Sequence, residues 1–192
     1  LVLLIDASKT LGTGTASATW KSVRSTIGAA LAGFPENSNI AILKFDDTAP
    51  TVLEFTQAKD RLAAAVQALS PKPSGGSCLN EGVYQAVNKL GGAPGRRAVI
   101  VFTASTDNCG TRTASEVISL ASQNRVQLYP VGLLGYAVTE AELEALADPT
   151  GGIAEFKEQS TLTFGLANIN AILSNQWTAN ATVYPSAGQQ SA

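Results

Sequence analysis

The chain has 192 residues, 45 % of them apolar and 15 % charged, with a net charge of -2. This composition suits one large globular domain with a full core and excludes a disordered chain. The weak net charge gives no footprint for nucleic acid or an anionic membrane, no apolar run approaches the ~18 residues of a membrane span, and the absence of histidine excludes Ser-His-Asp and Cys-His catalysis within this chain.

The chain opens inside a strand-like run and has no methionine, which reads as a piece of something longer. Leu1 to Asp6 is that first strand, and Asp6, Ser8 and Thr10 then alternate. Trp20, Val23, Ile27, Leu31 and Phe34 make the apolar face of a helix. Asn39 to Phe45 reads as a second strand and Thr51 to Phe55 as a third. The link between them, Asp46-Asp47-Thr48-Ala49-Pro50, is too short for a crossover, so these two strands form an antiparallel hairpin with the latter at a sheet edge. Asp46-Asp47 is turn chemistry. Leu62, Val66 and Leu69 mark a second helix. Gly75-Gly76-Ser77-Cys78 precedes a third, carrying Val83, Val87 and Leu90.

Arg96-Arg97 reads as a solvated pair before the strand Ala98 to Thr103, which leads into Ala104, Asp107 and Cys109. Thr113 with Glu116, and Thr139 with Glu142, have capping-box spacing. The first opens a helix with Val117, Ile118 and Ala121. The second opens one with Leu143 and Leu146 that stops near Asp148-Pro149, its Glu140, Glu142 and Glu144 forming a solvated face. Between them lies the strand Val126 to Leu133. Ile153 to Phe156 is a short strand, and Leu162, Leu166, Ile169 and Leu173 line a last helix. From Trp177 to Tyr184 apolar and polar residues alternate, as in an extra edge strand or, the preferred reading, the first strand of a following β domain. Asn180-Ala181-Thr182 is a glycosylation sequon.

Strands alternating with helices predict a Rossmann-like, three-layer α/β/α fold around a mostly parallel six-stranded sheet with one antiparallel edge strand. Asp6, Ser8 and Thr10 then sit at the C-terminal end of a strand, where open α/β sheets bind ligands. One carboxylate and two hydroxyls suit a hard cation such as Mg²⁺.

Asp6-x-Ser8-x-Thr10 resembles the Asp-x-Ser-x-Ser signature of the von Willebrand factor A domain, where it forms a metal-ion-dependent adhesion site. Thr10 replaces the second serine and keeps a hydroxyl. Gly75-Gly76-Ser77 resembles the family's second loop, with Ser77 in place of a threonine. The third loop departs from the pattern: Ala104 stands where the family has an aspartate, and Asp107 follows three positions later. The resemblance therefore implies a metal set of Asp6, Ser8, Thr10, Ser77 and Asp107 with a charge deficit, and Mg²⁺ or another divalent cation held weakly or not at all. Lys9, beside the set, is either an ordinary solvated lysine or a competing cation. Cys78 and Cys109 fall, in such a fold, in the second and third loops, close enough for a disulfide in an oxidising compartment; the alternative is two unrelated small buried residues. A zinc site lacks further Cys or His.

The resemblance covers roughly residues 1–175 and leaves 176–192 as an extension. It implies an extracellular or cell-surface interaction module and no enzyme. Its top-face loops, 10–16 and 105–112, would bind a protein or extracellular-matrix ligand, with no nucleic acid and no membrane insertion. A metal-free scaffold within a larger secreted or surface protein, its loops organised by the disulfide, is the alternative. A small α/β enzyme is the weaker one, lacking both a phosphate loop and a nucleophile elbow.

Overall fold

The computed structural model describes residues 1–12 and 18–175. The expected elements are present: β1 (Val2–Asp6), α1 (Ala18–Leu31), β2 (Ile40–Phe45), β3 (Thr51–Thr56), α2 (Lys59–Ala68), α3 (Leu79–Leu90), β4 (Arg97–Thr103), α4 (Ala114–Gln123), β5 (Val126–Leu133), α5 (Glu140–Ala147), β6 (Glu155–Lys157) and α6 (Leu162–Asn175). The six strands lie in the order β3-β2-β1-β4-β5-β6. β2 and β3 pair antiparallel across the predicted hairpin, and the other pairings are parallel. The alternating strand and the sequon at Asn180 lie outside the described residues.

The central strands are apolar throughout because both faces are covered. Leu3 and Ile5 of β1, Ile40 and Ile42 of β2, and Ile100 and Phe102 of β4 point to one core, filled by α1, α2 and α6. Val2 and Leu4, Ala41 and Leu43, and Val99 and Val101 point to the other, filled by α3, α4 and α5. This period-2 partition fixes strand register, since a one-residue slip would exchange the two cores. Three layers follow, and every loop at the C-terminal ends of β1, β2 and β4 emerges on the same end of the sheet, here termed the top.

Helix ends are secured by cations that the sequence does not advertise. Neither α1 nor α2 has a basic residue in its last turn. Instead the two helices cap each other. Lys59, at the start of α2, donates from Nζ to the carbonyls of Leu31 (3.2 Å) and Phe34 (2.7 Å) at the end of α1. Arg24 of α1, only 9 % exposed, donates from Nη1 to the carbonyls of Gln67 and Leu69 at the end of α2. Each cation meets the negative end of a helix dipole and satisfies orphan carbonyls. Of the expected solvated pair, Arg96 is exposed and donates to the Leu173 carbonyl, whereas Arg97 is corrected: it is partly buried and donates to the Asn124 carbonyl (2.8 Å). Arg24→Ala is expected to cost about 2 kcal/mol, because it removes the cation from the end of α2 and its hydrogen bonds to the Gln67 and Leu69 carbonyls, of which Leu69 keeps the Trp20 Nε1 donor at 3.1 Å; an unchanged urea midpoint would refute this role.

The two capping boxes part company. Thr113 and Glu116 form theirs in full at α4. Thr139 makes no side-chain cap at α5, and Glu142 instead accepts the Asp107 amide at 2.8 Å. Its place on a purely solvated face is likewise corrected, since a tertiary partner outcompetes the local one.

Candidate functional site

Asp6 closes β1 and is fully buried. Its Oδ1 accepts the Ser8 amide (2.9 Å), and its Oδ2 accepts the Thr103 hydroxyl (3.1 Å) and the Ala104 amide (3.0 Å). Burial pushes its pKa up, against the pull of these donors. The carboxylate thus joins the first loop to the end of β4. Ser8 and Ser77 are each 1 % exposed, and among the described residues neither hydroxyl oxygen has a partner at hydrogen-bond geometry, although the Ser8 side chain faces the Asp6 carboxylate. A buried, unsatisfied hydroxyl costs stability and calls for an explanation. Here two of them occupy expected ligand positions in two different loops. Thr10, half-buried, accepts a hydrogen bond from the Ser105 hydroxyl at 2.5 Å.

The second loop is shaped by its glycines. Gly75 has φ +105°, and a Cβ there would lie 2.8 Å from Asp47 Oδ2. A Cβ on Gly76 would lie 2.6 Å from Asn108 Oδ1 and 2.9 Å from Cys109 Sγ. Glycine therefore lets the second loop press against the third. Ser77 donates its amide to Asn108 Oδ1 (2.8 Å), and Asn108 returns its own amide to the Ser77 carbonyl (3.0 Å). Beside this ladder Cys78 and Cys109 form a disulfide with a Cα–Cα distance of 4.7 Å.

Asp107 turns to α3. Its Oδ1 accepts the Asn80 amide at 3.0 Å in the first turn of that helix. Burial raises its pKa, and burial together with the Asp107 charge raises that of Glu142. Lys9 is exposed. Among the described residues no group of three or more His, Cys, Asp or Glu side chains is placed to hold a metal. The donor set at the first and second loops is therefore one carboxylate, Asp6, and the hydroxyls of Ser8, Thr10 and Ser77. Its oxygen chemistry and its two unpartnered hydroxyls fit a hard cation. Its single negative charge makes that fit a weak one for a divalent ion.

Sequence reasoning misses Thr103, Ser105 and Asn108. Thr103-x-Ser105 repeats, after β4, the alternating hydroxyls that follow β1, and this was the available signal. Nothing local marks Asn108.

A buried turn supports the face from below. Asp46 Oδ1 accepts the Thr48 amide (2.8 Å) and hydroxyl (2.7 Å), Lys44 approaches Oδ2 at 3.2 Å, and the Asp46 carbonyl receives the Cys78 amide at 2.8 Å. Burial pushes the Asp46 carboxyl up, but the hydrogen bonds, led by the Thr48 hydroxyl, outweigh it and set its pKa at about 2. A depressed folded-state pKa stabilises at pH above the unfolded value of about 3.9, and the contribution is lost as pH falls towards the folded value. Asp46→Asn is therefore expected to flatten the fall in stability between about pH 4 and pH 2; urea melts with the same acid dependence in both proteins would contradict this.

The family model for the von Willebrand factor type A domain matches residues 1–171. Among solved structures, proximal thread matrix protein 1 from the mussel byssus is 18 % identical with a TM-score of 0.73, covering 90 % of this chain and 47 % of that one. The same protein with its metal-ion-dependent adhesion motif occupied by zinc is 17 % identical with a TM-score of 0.74, covering 90 % of this chain and 47 % of that one. A von Willebrand factor type A protein from Catenulispora acidiphila is 20 % identical with a TM-score of 0.76, covering 88 % of this chain and 41 % of that one. This chain thus spans less than half the length of these structures, and at such identities the likeness is one of fold. No curated protein matches the sequence.

Proposed function

Since this chain belongs to the von Willebrand factor type A family, whose members are often adhesion or protein-interaction modules, we propose that it is an extracellular interaction domain binding a protein or matrix ligand through its top face. The observation that carries this reading is the pair of buried hydroxyls, at Ser8 and Ser77, that have no hydrogen-bond partner among the described residues. A fold that leaves such groups unsatisfied gives up stability there, and the exchange makes sense where a ligand completes the site. The disulfide supports an oxidising, extracellular setting. The absence of histidine supports binding over catalysis.

In this reading a divalent cation, when bound, is held by Ser8, Thr10 and Ser77 with Asp6 supplying charge. It offers a partner a Lewis-acidic contact. With Ala104 in the third loop, the affinity for the ion is low. A second reading, a metal-free scaffold, is favoured by the same Ala104 together with the Cys78–Cys109 bond across the flanking loops.

The test is the double variant Ser8→Ala/Ser77→Ala. Removing unsatisfied buried hydroxyls leaves the melting temperature unchanged or higher. In the proposed reading it also abolishes binding to immobilised matrix proteins and any melting shift from Mg²⁺, Mn²⁺ or Ca²⁺. Undiminished binding by the variant would remove the top face from the function. A wild type with neither ligand nor metal response would leave the scaffold reading.

A further inference from the structure

Charge is segregated along the chain. Residues 126–175 hold six carboxylates, Glu140, Glu142, Glu144, Asp148, Glu155 and Glu158, and one cation, Lys157, whereas cations outnumber carboxylates in residues 1–125. The acidic stretch contains β5, α5, β6 and α6. β5 and β6 close the sheet at the edge away from β3, so the imbalance falls on one side of the domain. Lys157 is neutralised where it stands by Glu155 at 2.7 Å. Glu140, Glu144 and Glu158 are exposed and, among the described residues, make no salt bridge.

The same corner exposes apolar side chains. Among the described residues three large ones stand exposed, and two of them are here, Leu134 at 41 % and Phe164 at 71 %. Leu134 opens the loop after β5, Leu134-Gly135-Tyr136-Ala137-Val138, which has no charged residue and is exposed or half-buried along its length. Phe164 lies in the first turn of α6. Their supports meet at Lys157. The Leu134 amide donates to the Lys157 carbonyl at 2.9 Å, and a Cβ on Gly165, next to Phe164, would lie 2.9 Å from Lys157 Cγ. The loop is also anchored from its other side, since Tyr136 donates its hydroxyl to Thr19 Oγ1 at 3.2 Å. Glu158 directly follows Lys157, and Glu140 follows Val138 by two residues. Apolar surface gathered in one place and rimmed by polar groups marks an interaction site, where single exposed residues would not.

We infer that this corner is a docking surface for a cationic, amphipathic segment of a partner protein, with Leu134 and Phe164 as apolar anchors and Glu140 and Glu158 as charge partners. Complementary charge selects that occupant. A second copy of this chain would bring carboxylates against carboxylates, and an anionic bilayer is repelled for the same reason. The loop leaves the C-terminal end of β5, so the patch borders the top face. The inference rests on the interaction-module reading for the existence of a protein partner, but not on the Ser8 and Ser77 hydroxyls.

The test is a titration of the isotope-labelled chain, followed by amide NMR, with a synthetic amphipathic peptide of leucine and lysine. The control is the same peptide with glutamate in place of lysine. The lysine peptide is expected to shift amides within residues 134–140 and 157–165, and the glutamate peptide to shift none. Leu134→Ser/Phe164→Ser is expected to weaken lysine-peptide binding by about tenfold. Glu140→Gln/Glu158→Gln is expected to remove most of its salt dependence. All four side chains are exposed, so circular dichroism and melting stay at wild-type values. Shifts centred elsewhere, an equal response to the glutamate peptide, or wild-type binding by the folded Leu134→Ser/Phe164→Ser variant overturns the proposal. So does a concentration-dependent dimer that this variant loses, because a second copy would then cover the patch. Ser8→Ala/Ser77→Ala keeps the two readings apart: it is expected to retain peptide binding while losing matrix-protein binding. Loss of the peptide response alone in the wild type sinks the docking surface, and loss of the matrix response alone sinks the hydroxyl site.

Discussion

Ala104→Asp is expected to convert a weak cation site into a strong one. Ala104 is fully buried, and its amide already bonds Asp6 Oδ2 at 3.0 Å, so a carboxylate grown from its Cβ enters the immediate surroundings of Asp6. Without metal, two carboxylates then share a dry site and repel, and the variant should melt below the wild type in EDTA. A divalent cation neutralises the pair, and the unpartnered Ser8 and Ser77 hydroxyls stand ready as neutral donors. At a Mg²⁺ concentration a hundredfold above Kd the gain is about 2.7 kcal/mol, or roughly 5–10 °C for a chain of this size. The wild type, with one charge, should move far less under the same titration. Equal Mg²⁺ responses in the two proteins would show that charge at position 104 does not limit affinity.

The fold was legible because its signals are local or periodic. Buried strands such as Leu1 to Asp6 and Ala98 to Thr103 are unbroken apolar runs, and the link from Asp46 to Pro50 admits only a hairpin. The site was half legible for the same reason. Asp6, Ser8 and Thr10 are neighbours in sequence, and the Gly75-Gly76 pair announces a close approach without saying to what. What closes the site is non-local. Asn108 meets Ser77 across 31 residues of chain, and Ser105 meets Thr10 across 95. Glu142 shows the hazard of local inference: spacing from Thr139 predicts a cap, yet the Asp107 amide across 35 residues takes the carboxylate. Arg97 read as solvated because the carbonyl it serves, at Asn124, belongs to a helix end that only the fold brings near.

Loss of the disulfide is expected to be the most destabilising change at the top face. Cys78 and Cys109 enclose a loop with a sequence separation of 31, and the chain-entropy treatment assigns such a crosslink about 3–4 kcal/mol. The paired variant Cys78→Ala/Cys109→Ala should therefore melt roughly 6–16 °C lower, at 2–4 °C per kcal/mol for a domain of this length. The loss has a location as well as a size. Cys78 is adjacent to Ser77 and Cys109 to Asn108, so the bond backs the mutual amide hydrogen bonds of 2.8 and 3.0 Å that hold the second loop against the third. Amide exchange at Ser77 and Asn108 should accelerate more than at the β1–β4 ladder, which has its own pairing. In a site with a second carboxylate, a bound cation could draw these loops together. Here the sulfur bridge and the asparagine hold the two loops together, and the melting temperature should accordingly depend more on reductant than on EDTA. A larger effect of EDTA than of reduction would mean that a metal, and not the disulfide, organises the top face.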